Sequence, residues 1–333
     1  MNLKYLFKVL FLTIGIAAGT CGLVSAQNTQ QAKVDVSPEE AKAIKKIEEA
    51  KTLADKIKAT GDFIKKYPKS PARGQAADYL AAQIMLVKDD SQIIQNGEIY
   101  LTIFTEPAEA DPMLPGLIYS YVAVKRTKDA YAAAEKYLSR HAEDVTVRLK
   151  LAIEGSNLLR TGTKDYAAAS REYSAQAIAL IEADKKPAMM DAAVWQEYRT
   201  KWLPQLYQTL GIFDFYAGDK PKARLSLEKA TTLDSSDVNG WILLSTIADD
   251  DYQDVATKYN AATESAQRAE LLKQANEKMD QVIEMYARIV ALTDARPEAK
   301  QINEQVRQSL ETYYKYRHKN LDGLPALISK YKK

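Results

Sequence analysis

Apolar residues recur along this chain at steps of three and four, the spacing of one face of an α-helix. Ala76, Ala77, Leu80, Ala81 and Ile84 form one such run, and Ala223, Leu227 and Ala230 another. A longer stripe passes through Tyr252, Val255, Tyr259, Ala262, Ala266, Ala269 and Leu272, then through Met279, Val282, Tyr286 and Ile289. Lys258, Glu264, Arg268, Glu270, Lys273 and Glu277 occupy its other faces. As one helix, Tyr252 to Ile289 would span roughly 55 Å. Two helices turning near Asn260 to Ser265 are expected instead, with a dimerising coiled coil as the alternative use of the stripe.

The punctuation between stripes is that of helix ends. Ser37-Pro38-Glu39-Glu40 reads as an N-cap, a first-turn proline and the acid of a capping box. The helix it opens is expected to run towards Tyr67-Pro68 with a break near Gly61. Pro71 starts the next helix, a further one covers about Ser91 to Phe104, and Pro107 and Asp111-Pro112 separate it from the next unit. A last long helix spans about Pro297 to Arg317. After Gly323-Leu324-Pro325 comes a short segment, Ala326 to Tyr331, and the charged tail Lys330 to Lys333 suits a polar cap on an open end.

The chain also echoes itself. Thr127-Lys128-Asp129-Ala130-Tyr131 and three alanines recur as Thr163-Lys164-Asp165-Tyr166 and three alanines, and Tyr137 is matched by Tyr173, an offset of 35 or 36 residues. In each copy the Thr-Lys-Asp element is expected in a turn and the alanines at the start of a helix. Gly218-Asp219-Lys220-Pro221-Lys222-Ala223 is a more diverged third copy. The surplus before it, about Asp184 to Leu203 with Met189, Met190, Trp195, Tyr198 and Trp202, is read as an extended or additional helix joining two halves of the stack.

The stretch from Pro204 to Asp237 carries the sharpest pattern. Leu210-Gly211 lies in mid first helix, Gly218 at the turn, and small-large-small Ala223, Leu227, Ala230 on the second helix, with Tyr207 and Leu210 filling the remaining space. Trp241 and Leu244 continue in register. This resembles a tetratricopeptide repeat, a helix–turn–helix unit of about 34 residues, and Phe63-Ile64 with Tyr67-Pro68 resembles a repeat ending common in bacterial envelope members of that superfamily. Departures are Tyr207 where Trp is common, Asp214 where Tyr is usual, and Ser235 where Pro closes the unit. The resemblance implies an all-α, right-handed superhelical solenoid of antiparallel helix pairs over residues 37–333. Its clearest repeats would be 113–144, 145–180, 204–237 and the elongated 238–293, with capping helices over 297–333.

Composition narrows the function. Residues 1–26 have the three-part pattern of an export signal: Lys4 and Lys8, an apolar core from Val9 to Gly19, and Val24-Ser25-Ala26 as a cleavage site after Ala26. Residues 27–36 read as a flexible leader. Cys21, the only cysteine, falls inside the signal, where its surroundings match a lipoprotein site poorly. The expected mature chain is thiol-free, suits an oxidising compartment, and is placed in the periplasm or outside the cell. Without the two signal lysines, basic and acidic residues balance at 44 each, which argues against a nucleic-acid partner.

Candidate chemistry is sparse. His141 and His318, the two histidines, have no second histidine or cysteine at ligand spacing, so no metal site is expected. No glycine-rich phosphate loop is visible. Asp249-Asp250-Asp251 lacks calcium-loop spacing and reads as a solvated helix–helix turn. No cofactor and no catalytic residue is predicted. Most of the 20 tyrosines fit packing positions, and the remainder could line a groove. The resemblance implies that first helices line a concave face, at Gln205, Gln208, Ile212, Phe215 and Tyr216, then Asn239, Ile242 and Thr246. Gln208 and Ile212 stand where a carboxylate clamp would need Lys and Asn. The expected function is therefore non-catalytic: an envelope scaffold holding an extended or helical segment of a partner protein. The alternative is a binder of envelope glycan or a small ligand.

Overall fold

Side chains of Ser37, Thr52, Asp89, Asp191, Asp219 and Asp237 cap the starts of six helices, and the helix expected at Pro71 begins at Arg73. A computed structural model describes residues 35–188 and 190–332. The expected signal 1–26 with Cys21, the leader up to residue 34, Met189 and Lys333 lie outside the described residues. Among the described residues every regular element is helical, and the helices fall into two compact units, 35–154 and 155–332.

In the first unit, Ser37 caps α1 (Pro38–Glu49) through the full capping box, its hydroxyl accepting from Glu40 N–H while the Glu40 carboxylate accepts from Ser37 N–H at 3.0 Å. The chain breaks at Ala50 to Thr52, not at Gly61 as expected. Thr52 caps α2 (Leu53–Lys66), and Gly61 lies inside that helix. An N-cap hydroxyl outweighed a glycine that costs a helix only about 1 kcal/mol. Next come α3 (Arg73–Met85), α4 (Asp90–Ile103), the single turn α5 (Pro107–Ala110), α6 (Leu114–Ala123) and α7 (Thr127–Leu138), each long helix packing on its neighbours. At the α4–α6 contact a Cβ on Gly97 would lie 2.7 Å from Leu117 Cδ2, so only glycine permits this approach. The division between the units falls within α8 (Val145–Arg160).

The second unit adds α9 (Ala167–Glu182), α10 (Ala192–Glu197), α11 (Leu203–Tyr216), α12 (Lys220–Leu233), α13 (Val238–Ala261), α14 (Ser265–Thr293), α15 (Lys300–His318) and α16 (Leu324–Ser329). The extra helix expected before Leu203 is α10, which runs into α11 through a π-helical turn, Tyr198–Trp202. It lies inside this unit rather than between two halves. The long stripe is two helices, as the sequence predicts: α13 ends at Ala261 and α14 starts at Ser265.

Side-chain bonds show that α9 runs antiparallel to α11, α13 to α14, and α14 to α15. Arg171 on α9 meets Asp214 on α11 while Glu182 meets Tyr207. Asp251 on α13 meets Lys278 on α14, and the other end of α13 places Trp241 beside Arg288. Asn303 on α15 donates to Val290 O at 2.9 Å, and Arg317 binds Asp280 at 2.9 and 3.0 Å.

Four helices end in one motif. At Lys125, Gly162, Asp184 and Gly218 the backbone turns left-handed, with φ of 62°, 100°, 52° and 82°. The next N–H reaches back to close the turn: Arg126 to Tyr121 O, Thr163 to Leu158 O, Lys185 to Leu180 O and Asp219 to Asp214 O, at 2.8 to 3.0 Å. These are Schellman ends, which satisfy carbonyls the helix leaves open. They also correct the Thr-Lys-Asp expectation. Thr163 to Asp165 precede α9 in the turn, but Thr127 to Asp129 already form the first turn of α7.

Asp249 to Asp251 are not in a turn either. They sit within α13, half-buried, and face different neighbours: Asp249 accepts from Tyr313 on α15, Asp250 pairs with Lys220 of α12 at 3.0 Å, and Asp251 binds Arg224 of α12 at 2.7 Å and Lys278 of α14 at 3.2 Å. Three consecutive acids on a helix diverge by about 100° each, so a run that reads as solvated can bind separate elements.

Candidate partner-binding surface

The α11–α12 hairpin is closed by glycine against leucine. A Cβ on Gly211 would lie 2.6 Å from Leu227 Cγ and 3.3 Å from Ala223 O, and Ala223, Leu227 and Ala230 are completely buried. Leu243, Leu244, Ile247, Phe213 and Leu159 complete that core, with Trp241 and Phe215 packed on its edge. Tyr207 is half-buried and its hydroxyl donates to Glu182 at 2.6 Å, while Leu210 is only partly covered. Gly211, Ala223 and Leu227 meet inside the hairpin, while Leu210 lies at its margin.

The predicted groove residues divide. Gln205, Gln208, Phe215, Asn239 and Ile242 are half-buried, and Tyr216 is exposed. Phe215 and Tyr216 stand edge to face with centroids 5.9 Å apart. Ile212 and Thr246 line no groove: Ile212 is 1% exposed within the hairpin core, and Thr246 is 6% exposed with its hydroxyl returned to Ile242 O at 3.0 Å. The inherited positions fail there because adjacent helices cross closely enough to bury both side chains. Ile242 is partly committed too, packing against the α14–α15 core.

Gln208 has a structural duty. Its amide donates to the carboxylate of Asp237, the N-cap of α13, which also accepts from Gly240 N–H at 3.0 Å. A Cβ on Gly240 would come within 2.4 Å of that carboxylate. Burial pushes the Asp237 carboxyl above its ordinary range, against the pull of these hydrogen bonds. Burial likewise raises the Tyr216 phenol, while the Arg160 guanidinium opposes the shift.

One cluster has no counterpart among the sequence expectations. Tyr252 on α13 and Tyr313 on α15 meet with centroids 5.6 Å apart, and Tyr313 also stands edge to face with buried Tyr286 at 5.9 Å. A tyrosine–tyrosine pairing 61 residues apart leaves no local signature. In the first unit, burial alone would raise the Asp111 carboxyl, but hydrogen bonds from Arg140 and His141, the latter at 2.8 Å, hold it below its usual range. His141 also stacks on Tyr137, with centroids 4.4 Å apart, so it serves packing. Among the described residues no group of three His, Cys, Asp or Glu is placed to hold a metal ion, and no helix is long and apolar enough to cross a membrane.

No family model and no curated protein matches this chain. Among solved structures, a tetratricopeptide repeat protein from Parabacteroides merdae ATCC 43184 is similar to it at 10% identity and a TM-score of 0.36, over 81% of this chain and 100% of that one. At that score the likeness carries no conclusion about fold or function.

Proposed function

We propose that this protein is a non-catalytic scaffold that holds a segment of a partner protein against α11 and α13. The observation that supports this most directly is the set of side chains on those helices that keep exposed surface: Gln205, Phe215, Tyr216 and Asn239, which offer aromatic faces and amides able to bond a peptide backbone. Their helices are fixed from behind by the Gly211–Leu227 contact and the Asp237 cap, so the surface is pre-organised and binding costs little ordering.

The working place of the scaffold is the bacterial cell envelope or beyond it, a reading supported by the export pattern of residues 1–26. Mature protein from the producing cell should begin at Gln27 and appear in the periplasmic or secreted fraction. A cytoplasmic chain starting at Met1 would end that part of the reading. For the surface, crosslinking and mass spectrometry of wild type against the double variant Gln205→Ala, Phe215→Ala is the test. The partner crosslinked to α11 should be lost from the variant. Unchanged crosslinks in a folded variant would move the binding site elsewhere.

A further inference from the structure

The first unit holds a cleft that plays no part in the α11–α13 surface. Its volume is about 470 Å³, within the roughly 300–1,000 Å³ typical of small-ligand sites. Leu101 and Phe104, Leu114 and Leu117 of α6, and Ala132 and Ala133 of α7 wall it. Phe104 and Leu117 are completely buried, and Leu117 is wedged against Gly97 of α4. On α7, Asp129, Ala132, Ala133 and Lys136 line the cleft from one helix face, and Arg140 follows just past the helix end. Asp129 and Lys136 are two turns apart, roughly 10 Å, so alanines separate the charged groups. The two ends differ in their charge balance. At one end Arg126 binds Asp129 at 2.6 Å and Glu98 at 2.8 Å, and the Tyr121 hydroxyl donates to Glu98 at 3.1 Å. At the other end Arg140 gives Nε and Nη2 to Asp111, Nε at 3.1 Å. The Lys136 ammonium and Arg140 Nη1 have no hydrogen-bond or ion-pair partner among the described residues.

We propose that this cleft binds an aliphatic monocarboxylate, with the chain on the leucine, phenylalanine and alanine wall and the carboxylate on Lys136 and Arg140 Nη1. Charge selects the head group. The acids at the Asp129 end share Arg126, whereas Lys136 is a lining cation without a counter-ion. A carboxylate there gains charge-assisted hydrogen bonds. The wall selects the tail. The Tyr121 hydroxyl is committed to Glu98, and Thr105, exposed beyond the end of α4, is the remaining neutral polar side chain of the lining. A sugar or a peptide backbone would place hydroxyls or N–H groups against apolar carbon without partners, a cost that an alkyl chain avoids. The site lies wholly in the first unit and goes beyond the scaffold reading, which stands or falls without it.

The test titrates the full chain by calorimetry with octanoate, decanoate, decanol, decylammonium and a short apolar peptide with a free carboxyl terminus, all below micelle-forming concentrations. Wild type, Lys136→Ala and Ala132→Trp are compared. Both replaced side chains are exposed, so thermal unfolding without ligand should match wild type. Decanoate should bind about tenfold or more tighter than octanoate, since each buried methylene strengthens binding about fourfold. Lys136→Ala should weaken decanoate about fivefold or more and leave decanol unchanged. Ala132→Trp, which fills the cleft, should weaken both. Absence of decanoate binding, no gain with chain length, or decanoate binding indifferent to either substitution would each overturn the proposal. Decanol, decylammonium or the peptide bound as tightly as decanoate would overturn it as well, by showing that the cleft does not select an aliphatic carboxylate.

Discussion

Arg171 Nε donates to Asp214 Oδ1 at 2.6 Å, joining α9 to α11 across 43 positions of sequence. Asp214 is 3% exposed. The charge is tolerated because Arg171 reaches it from α9. Arg171→Ala would leave a buried carboxylate without that cation and should cost about 2–4 kcal/mol. The lower part of this range applies if water reaches the site, since the Arg171 side chain is 40% exposed. Urea unfolding of Arg171→Ala, Asp214→Ala and the double variant measures the coupling, and additive losses would mean the pair is idle.

Gly211→Ala should destabilise the second unit by about 1–3 kcal/mol, because the new methyl collides with a Leu227 side chain that has no room to move. In the double variant Gly211→Ala, Leu227→Ala the glycine substitution should cost much less than it does alone. Equal costs in both backgrounds would show that the two helices do not meet there.

The Schellman ends give a pair of opposite expectations. Gly218 has a φ of 82°, so Gly218→Ala should lose about 1 kcal/mol to backbone strain. Lys125 holds the same type of position with a φ of 62°, and Lys125→Gly should gain up to about 1 kcal/mol. Both are read from shifts in denaturant midpoint. A loss in the second variant would mean that the Lys125 side chain contributes packing beyond its backbone.

Two carboxyls should respond to pH in opposite senses. Asp237 is raised by burial, so the folded chain keeps a proton that the unfolded chain releases near 3.8. Its contribution to stability is greatest in acid and declines as pH rises through the folded value. Asp237→Asn removes this decline, so the variant should gain on wild type between pH 4 and 7. Asp111 is held low by Arg140 and His141 despite its burial, so its contribution is present above 3.8 and is lost as acid protonates it. Asp111→Asn should therefore lose most at neutral pH. Unfolding midpoints should show the Asp237→Asn difference growing as pH rises above 4 and the Asp111→Asn difference shrinking as pH falls below 3.8, and any other pattern would contradict the assignments.

Asp251 joins α13 to two helices through Arg224 and Lys278. Its side chain is 31% exposed, so the network is partly screened. Asp251→Asn should cost about 1 kcal/mol at low salt and less at high salt. A loss independent of salt would assign the effect to packing.

The sequence alone determined what depends on neighbours along the chain. The Ser37–Glu40 capping box, Pro204 in the first turn of α11, Gly218 beyond its end, the turn between α13 and α14, and the small residues Gly211, Ala223 and Ala230 all act within a few residues or one hairpin. Helical spacing and steric limits announce such features directly. Only tertiary structure decided how helices distant in sequence meet. It buried Ile212 and Thr246, assigned Gln208 to the Asp237 cap, paired Asp214 with Arg171, and spread three adjacent aspartates over three helices. It also brought Tyr252 onto Tyr313. A helix face shows which residues could be covered, but burial and pairing depend on the side chains a neighbouring helix brings, and that choice is made in space.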